Sequence, residues 1–302
     1  MNFNGECAKI IIMKRFFRYF LSLLLIAAFI YQAAQQILPC HAFANGKTGR
    51  YDADEREKKI FRASSVKSFS CYEYEVGLDS KPGTARLLLT NHYDEGANIK
   101  LALHYDKNDN LALKDHYVYD KSGNKIAKIT KTPAGSAVSK WLYRYDGGRN
   151  IVRMTLFNAE NEMRGEWSLK YDGDGRTVEI IESDGEGDIF NRSSSVYSGN
   201  KRIEINYNAD NQIENKRIYT LDQRGKKTGT VFYDNTGAEK TKTSYIYDTA
   251  ENLLENSAYR ENGGLSFKLI HRYDHENKLI EKTSIGPNGL PDKIYRFVYE
   301  KH

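Results

Sequence analysis

Cysteine, proline and tryptophan are scarce in this chain, at three, five and two of 302 residues. No nucleophile elbow, phosphate-binding glycine loop or CxxC pair occurs, which removes the commonest signatures of hydrolases, nucleotide-dependent enzymes and thiol redox proteins. Amphipathic runs of helical length are missing between Val66 and Glu300. The carboxylates are scattered through turns, where solvation keeps them ordinary rather than tuned for proton transfer. No catalytic residue, cofactor or metal ligand is therefore assigned, and a non-enzymatic protein is expected.

Long apolar stretches are confined to the N-terminus. Lys14, Arg15 and Arg18 precede "YFLSLLLIAAFIY" (residues 19–31), and "AFA" (residues 42–44) follows as a small-x-small cleavage site. That order of basic, apolar and small-residue regions predicts a signal peptide over residues 1–44, with Met13 as an alternative start. The run is shorter than the roughly 17 apolar residues that span a bilayer. An uncleaved anchor lengthened by Ala33 and Ala34 remains an alternative. A lipid-modified Cys40 is another, although Pro39 stands where a small residue would be needed. The expected location is secreted, periplasmic or at the cell surface, with membrane contact only through an uncleaved leader.

Cleavage after Ala44 removes Lys9, Lys14, Arg15, Arg18 and Glu6, so the net charge falls from +5 to 41 − 39 = +2. Most of the basic character thus belongs to the leader, and no nucleic-acid partner is implied. The same cleavage leaves Cys71 as the one thiol, so no internal disulfide can form and stability must come from burial and strand pairing. Within "SFSCYEYEV" Cys71 reads as a small buried strand residue.

What the chain has in abundance is tyrosine, 22 residues, arranged periodically. Tyr119, Tyr145, Tyr171 and Tyr197 are 26 apart, as are Tyr247, Tyr273 and Tyr299, and an intermediate position falls 12 after one and 14 before the next, as at Phe157, Tyr259 and Ile285. Before each tyrosine, apolar or aromatic residues alternate at period two: Trp141, Tyr143, Tyr145; Trp167, Leu169, Tyr171; Tyr295, Phe297, Tyr299. Alternation puts each trio on one sheet face, with Lys140, Leu142 and Arg144 on the other. After the tyrosine come "DKSGN", "DGGRN" or "DGDGR". There an Asp can accept from turn N–H groups and a Gly can supply φ > 0.

The unit is one strand and one turn, and two units make a 26-residue hairpin. The fold class is all-β: an antiparallel meander of about 18 short strands over residues 66–302. Residues 45–65 form a linker or short capping helix. Laid flat, 18 strands would be ~85 Å wide at ~4.8 Å each, so an open sheet that coils or curls over its aromatic face is expected.

The runs "YVYDKSGN" (residues 117–124), "YRYDGGRN" and "LKYDGDGR" resemble the YD repeats of RHS-repeat proteins over roughly residues 85–300, and are somewhat similar to MORN-type strand-turn repeats. The RHS resemblance implies a spiralling β-sheet on a secreted or cell-surface protein, often a shell around a toxin domain, with some members binding carbohydrate. This chain has too few repeats to enclose much, and ends at "FVYEKH" without a toxin domain. The resemblance implies a binding or structural module at the cell envelope, with a glycan or an envelope protein as partner. The alternative it offers is an accessory or remnant of a secreted toxin system.

Three sets of residues are candidates for chemistry. The oxygens of "DKNDN" (Asp106, Asn108, Asn110) and "DGEGD" (Asp184, Glu186, Asp188) alternate as in a calcium loop, but lack the remaining ligands and suit hairpin corners. His92, His104 and His116 follow the repeat spacing, and strand alternation places His92 and His104 at opposite strand ends. The aromatic stripe of Trp141, Tyr143, Tyr145, Trp167, Tyr245 and Tyr247 is the candidate binding surface. Its rings either pack as cross-strand pairs or offer a platform for glycan rings or a partner's apolar surface.

Overall fold

The computed structural model describes residues 52–77 and 79–302. The leader expected over residues 1–44 lies outside the described residues. Helix α1 (Asp52–Ala63) comes first, within the stretch read as linker or cap. Strands follow as β1 (Val66–Val76), β2 (Pro82–Tyr93), β3 (Ile99–Tyr105), β4 (Leu111–Tyr119), β5 (Lys125–Lys131), β6 (Ala137–Tyr145), β7 (Ile151–Asn158), β8 (Met163–Tyr171) and β9 (Thr177–Asp184). The second half contains β10 (Ile189–Ser198), β11 (Lys201–Asn208), β12 (Ile213–Leu221), β13 (Lys227–Asp234), β14 (Glu239–Tyr247), β15 (Leu253–Arg260), β16 (Leu265–Tyr273), β17 (Leu279–Ile285) and β18 (Pro291–Lys301).

Every strand pairs antiparallel with its sequence neighbours, so the meander of 18 strands stands. The expectation of an open, coiled sheet is corrected, because β1 also pairs antiparallel with β18, from Val66↔Lys301 to Glu75↔Lys293, and the sheet closes into a β-barrel. Closure satisfies the two rows of backbone N–H and C=O groups that an open meander would leave at its edges.

The corners follow one geometry. At Asp120–Asn124 the Asp120 N–H donates to the Asn124 carbonyl (2.9 Å) and the Gly123 N–H to the Asp120 carbonyl (3.0 Å), with Gly123 at φ 79°. The register slips by one residue between Val118 and Tyr119, the bulge that accompanies a left-handed corner residue. Seventeen hairpins join the 18 strands, and among the described residues each has one left-handed residue: nine are Gly, and eight are Ser80, Ala97, Asp109, Arg149, Asn161, Asn211, Glu251 and Asn277. Several of these side chains reach the preceding corner on the same rim. Arg149 donates to Asn124 Oδ1 (3.0 Å), and Asn277 Oδ1 accepts from Asn252 (2.9 Å).

Helix α1 identifies the inner face. Arg56 donates to the Ala250 carbonyl (2.8 Å) in the β14–β15 corner, and Arg62 to the Gly96 carbonyl (2.8 Å) in the β2–β3 corner. Through the β18–β1 seam these corners are six strand spacings apart, ~29 Å along the sheet. The helix advances only ~9 Å between the two arginines, so it is a chord on the concave side. Phe61, 3% exposed, meets Tyr93 (5.1 Å between ring centroids), Tyr299 (5.7 Å) and Phe69 (6.4 Å). The face bearing these rings therefore lines the lumen. Cys71 and Leu89, paired in register on the same face, are buried beside them.

Candidate functional site

All six aromatic candidates occupy the inner face and are half-buried. The structure does not bring them together. Trp141, Tyr143 and Tyr145 on β6 neighbour Trp167 on β8, whereas Tyr245 and Tyr247 lie on β14, ~29 Å further along the wall at ~4.8 Å per strand.

The tyrosines are already engaged. Tyr145 donates its hydroxyl to the Lys125 carbonyl (2.8 Å) and Tyr247 to that of Lys227 (3.0 Å). Lys125 Nζ lies 4.7 Å from the Tyr143 ring centroid and 5.9 Å from that of Tyr117. Lys227 repeats this between Tyr245 (4.4 Å) and Tyr219 (5.7 Å). These lysines present charge to the negative faces of the rings and fix them against the rim. Burial raises the Tyr247 phenol to about 12, so it stays a neutral donor.

The tryptophans are arranged differently. Equivalent positions one hairpin apart are ~10 Å from each other, yet the rings of Trp141 and Trp167 stand 4.9 Å apart at 38°. Room for this comes from Gly165, on β8 and paired with Leu156, which in turn pairs with Trp141. A Cβ at Gly165 would lie 3.3 Å from Cη2 and Cζ3 of Trp167, so the bare backbone is what lets that indole lean over its own strand.

Register then adds a polar group that periodicity did not reveal. Trp167 pairs with Glu182 on β9, and Glu182 with Asn191 on β10. The Glu182 carboxylate accepts from the Trp167 indole and from Asn191 Nδ2 (3.3 Å), both uncharged, and burial raises its pKa. The Asn191 carbonyl oxygen is covered and has no partner among the described residues. Glu182, Asn191 and Gly165 break no repeat rule in the sequence; only the pairing of β8, β9 and β10 assembles them.

Elsewhere the lumen bears compact ionic clusters. Asp115, 4% exposed, accepts from Thr130 (2.6 Å), with His104 (3.1 Å) and Lys128 (3.4 Å) beside it. Burial opposes its charge, but His104, Lys128 and Thr130 outweigh it and hold the carboxyl at about 2. Glu73 is clamped between Arg86 and Lys293. His92 pairs with Leu101 on the outer face, away from His104.

The Asp-rich turns use their oxygens internally. Asp106 Oδ1 accepts from the N–H groups of Asn108 (2.8 Å) and Asn110 (3.0 Å), and Asp184 Oδ1 from those of Glu186 (2.9 Å) and Asp188 (3.0 Å). Asp120 does the same with Ser122 (2.9 Å) and Asn124 (2.8 Å). Each carboxylate is a corner brace.

Neither a family model nor a curated protein matches the sequence. Solved structures similar to the chain include a porin-like protein from Bacteroides uniformis (9% identity, 78% of this chain and 98% of that one, TM-score 0.43). A second porin-like protein, from Bacteroides vulgatus, has 11% identity over 78% of this chain and 98% of that one, at TM-score 0.35. A putative outer membrane lipoprotein-sorting protein domain from Vibrio parahaemolyticus has 11% identity over 82% and 91% of the two chains, at TM-score 0.27. Scores this low identify neither a shared fold nor a shared function. The resemblance to RHS and YD-repeat proteins is corrected: no family model supports it, and the sheet closes on itself into a barrel instead of spiralling. The accessory role in a toxin system rested on that resemblance and falls with it.

Proposed function

We propose that the protein is a non-enzymatic binding barrel of the cell envelope, exported by its leader, which holds a ligand in its lumen while the barrel itself stands in water. The observation that carries this reading is the charge on both faces. Outward positions bear cross-strand ion pairs, in mid-strand at Arg153–Glu166 (3.5 Å) and Lys268–Glu255 (3.0 Å), and reaching the strand ends at Lys170–Glu179 (2.5 Å) and at Glu281 between Arg272 (3.3 Å) and Arg296 (3.1 Å). A lipid-facing barrel wall needs an apolar band ~25 Å tall, and an Arg or Lys at its middle costs ~2–4 kcal/mol. The inner face is no better suited to lipid, since it carries Asp115, Lys128, Glu73 and Lys293.

A closed sheet of 18 strands has a circumference of ~85 Å, wide enough for a water-filled interior. Inside it, Trp141 and Trp167 are half-buried and pack ring against ring at 4.9 Å. The leader, the aromatic lumen wall and the ion-paired outer wall together favour binding over conduction.

Two measurements test the reading. Protein recovered from its native host should release a small molecule in roughly stoichiometric amount on denaturation, detected by mass spectrometry. The full-length chain added to planar lipid bilayers should give no channel steps; stepwise conductance would replace the binding barrel with a pore.

A further inference from the structure

We infer that a register row on the inner wall, from Arg217 on β12 to Arg260 on β15, is an oxyanion site that takes the phosphate or carboxylate group of a lumenal ligand. This inference rests on the lumen-binding reading and gives that ligand its charge. Arg217 pairs with Phe232 on β13, Phe232 with Thr241 on β14, and Thr241 with Arg260. Arg217 and Thr241 lie two and four residues from Tyr219 and Tyr245, so period-two alternation puts the row on the face of those inner tyrosines. The two arginines are three strand spacings apart, ~14 Å, with a phenyl ring and a hydroxyl between them.

The hairpin repeat asks for neither arginine. At steps of 26 residues the place of Arg217 is taken by Thr243, Leu269 and Tyr295, none of them a cation. Arg260 opens the β15–β16 corner, where its N–H donates to the Gly264 carbonyl and its carbonyl accepts from the Gly263 N–H (2.9 Å each). Asp120, Asp184 and Asp234 stand in that place in other corners, and their carboxylates brace the turn. A guanidinium cannot accept, so Asn262 Oδ1 supplies the brace here, accepting from the Gly264 N–H (3.0 Å). Positions where a fold breaks its own local rule are where function is expected.

The charge is open to the lumen. The Arg217 side chain is 39% exposed and shares Glu204 with Arg202, so two guanidinium groups face one carboxylate. Its guanidinium carbon lies 5.3 Å from the Phe232 ring centroid, leaning along the row towards β15. Arg260 is exposed and has no side-chain ion pair among the described residues. The acids of this rim, Asp234 and Glu261, share Lys240 (3.4 and 3.2 Å). Guanidinium forks match the paired oxygens of carboxylate and phosphate, and the half-buried Thr241 hydroxyl adds a donor between them.

Phenyl phosphate and benzoate, titrated calorimetrically into the full-length protein, test the site. At least one should bind saturably, and the tighter of the two identifies the oxyanion. Benzyl alcohol, which has no charge, should bind at least tenfold more weakly. Arg217→Gln and Arg260→Gln should each weaken the tighter anion at least tenfold, whereas Arg272→Gln on the outer wall should leave it unchanged. Arg260 has no ion pair to lose, so its variant decides the matter where Arg217→Gln fails to fold. No binding of either anion at millimolar concentration, equal binding of benzyl alcohol, or unaltered affinity in the Arg260 variant overturns the site. An uncharged or cationic molecule released from host-derived protein would end this inference and leave lumenal binding standing. Channel steps with anion affinity intact would end the lumen-binding reading and leave the oxyanion site.

Discussion

The hydroxyl of Tyr145 donates to the main-chain carbonyl of Lys125 at 2.8 Å, joining the end of β6 to the start of β5 at one rim of the barrel. The same bond spans the same 20 residues from Tyr119 to Ile99, Tyr171 to Ile151, Tyr197 to Thr177, Tyr247 to Lys227, Tyr273 to Leu253 and Tyr299 to Leu279. This is why the repeat retains tyrosine where phenylalanine would pack equally well. Tyr145→Phe and Tyr171→Phe should each lower stability by about 1 kcal/mol, measured as a shift in urea midpoint at unchanged slope. An unaltered midpoint in both would mean that water replaces the bond without cost.

Backbone conformation can be tested apart from packing at Gly123. Its φ is 79°, and an added Cβ there would meet nothing within 4 Å. Any cost of Gly123→Val is therefore torsional, and about 1–3 kcal/mol is expected for a β-branched residue held at positive φ. Thermal melting of the variant should show it, with Gly123→Asn milder because Asn tolerates the left-handed region. Equal losses in the two variants would point to something other than φ.

The Asp115 cluster should make stability depend on acid. Its carboxyl is lowered from 3.8 to about 2 because His104, Lys128 and Thr130 outweigh the opposing effect of burial. A depressed acid contributes stability that is fully present above its unfolded pKa and disappears as pH falls through its folded one. The contribution is ~2 kcal/mol above pH ~4 and vanishes towards pH ~2. Denaturation of Asp115→Asn alongside the unaltered protein should show a gap that closes in that window. A gap constant from pH 5 to 2 would show that the loss is one of packing, not charge.

Helix α1 should depend on one side chain. Twelve residues are too few to stay helical alone, and Phe61 is its aromatic anchor, set against Tyr93, Tyr299 and Phe69. Phe61→Ala should cost roughly 3–5 kcal/mol at that anchor. Hydrogen exchange would then find residues 52–63 unprotected while strand amides in β4–β14 stay protected. Loss of protection throughout the barrel would show instead that the helix is needed for closure.

Local chemistry was legible from the residues themselves. Strand length, hairpin order and the alternating trio before each tyrosine depend on neighbours within 26 residues, so a periodic sequence discloses them. The left-handed corner was harder to see, because Arg149 and Glu251 occupy it where Gly123 and Gly225 stand in other repeats. A long side chain there can bridge to the adjacent corner, as Arg149 does to Asn124, and that neighbour is a full hairpin away in sequence.

Three things were decided only by tertiary structure. Pairing of Val66 with Lys301 closes the barrel, and nothing periodic distinguishes a first strand that meets the last from one that ends a spiral. Closure then gives the aromatic stripe an inside. Finally, the register of β8, β9 and β10 sets Trp167, Glu182 and Asn191 in one row. Residue types and spacing determined the hairpins because turn and strand preferences act along the chain. Closure, the lumen and the polar partner of the tryptophans come from pairing across it, where a shift of one residue would turn Glu182 to the outer face.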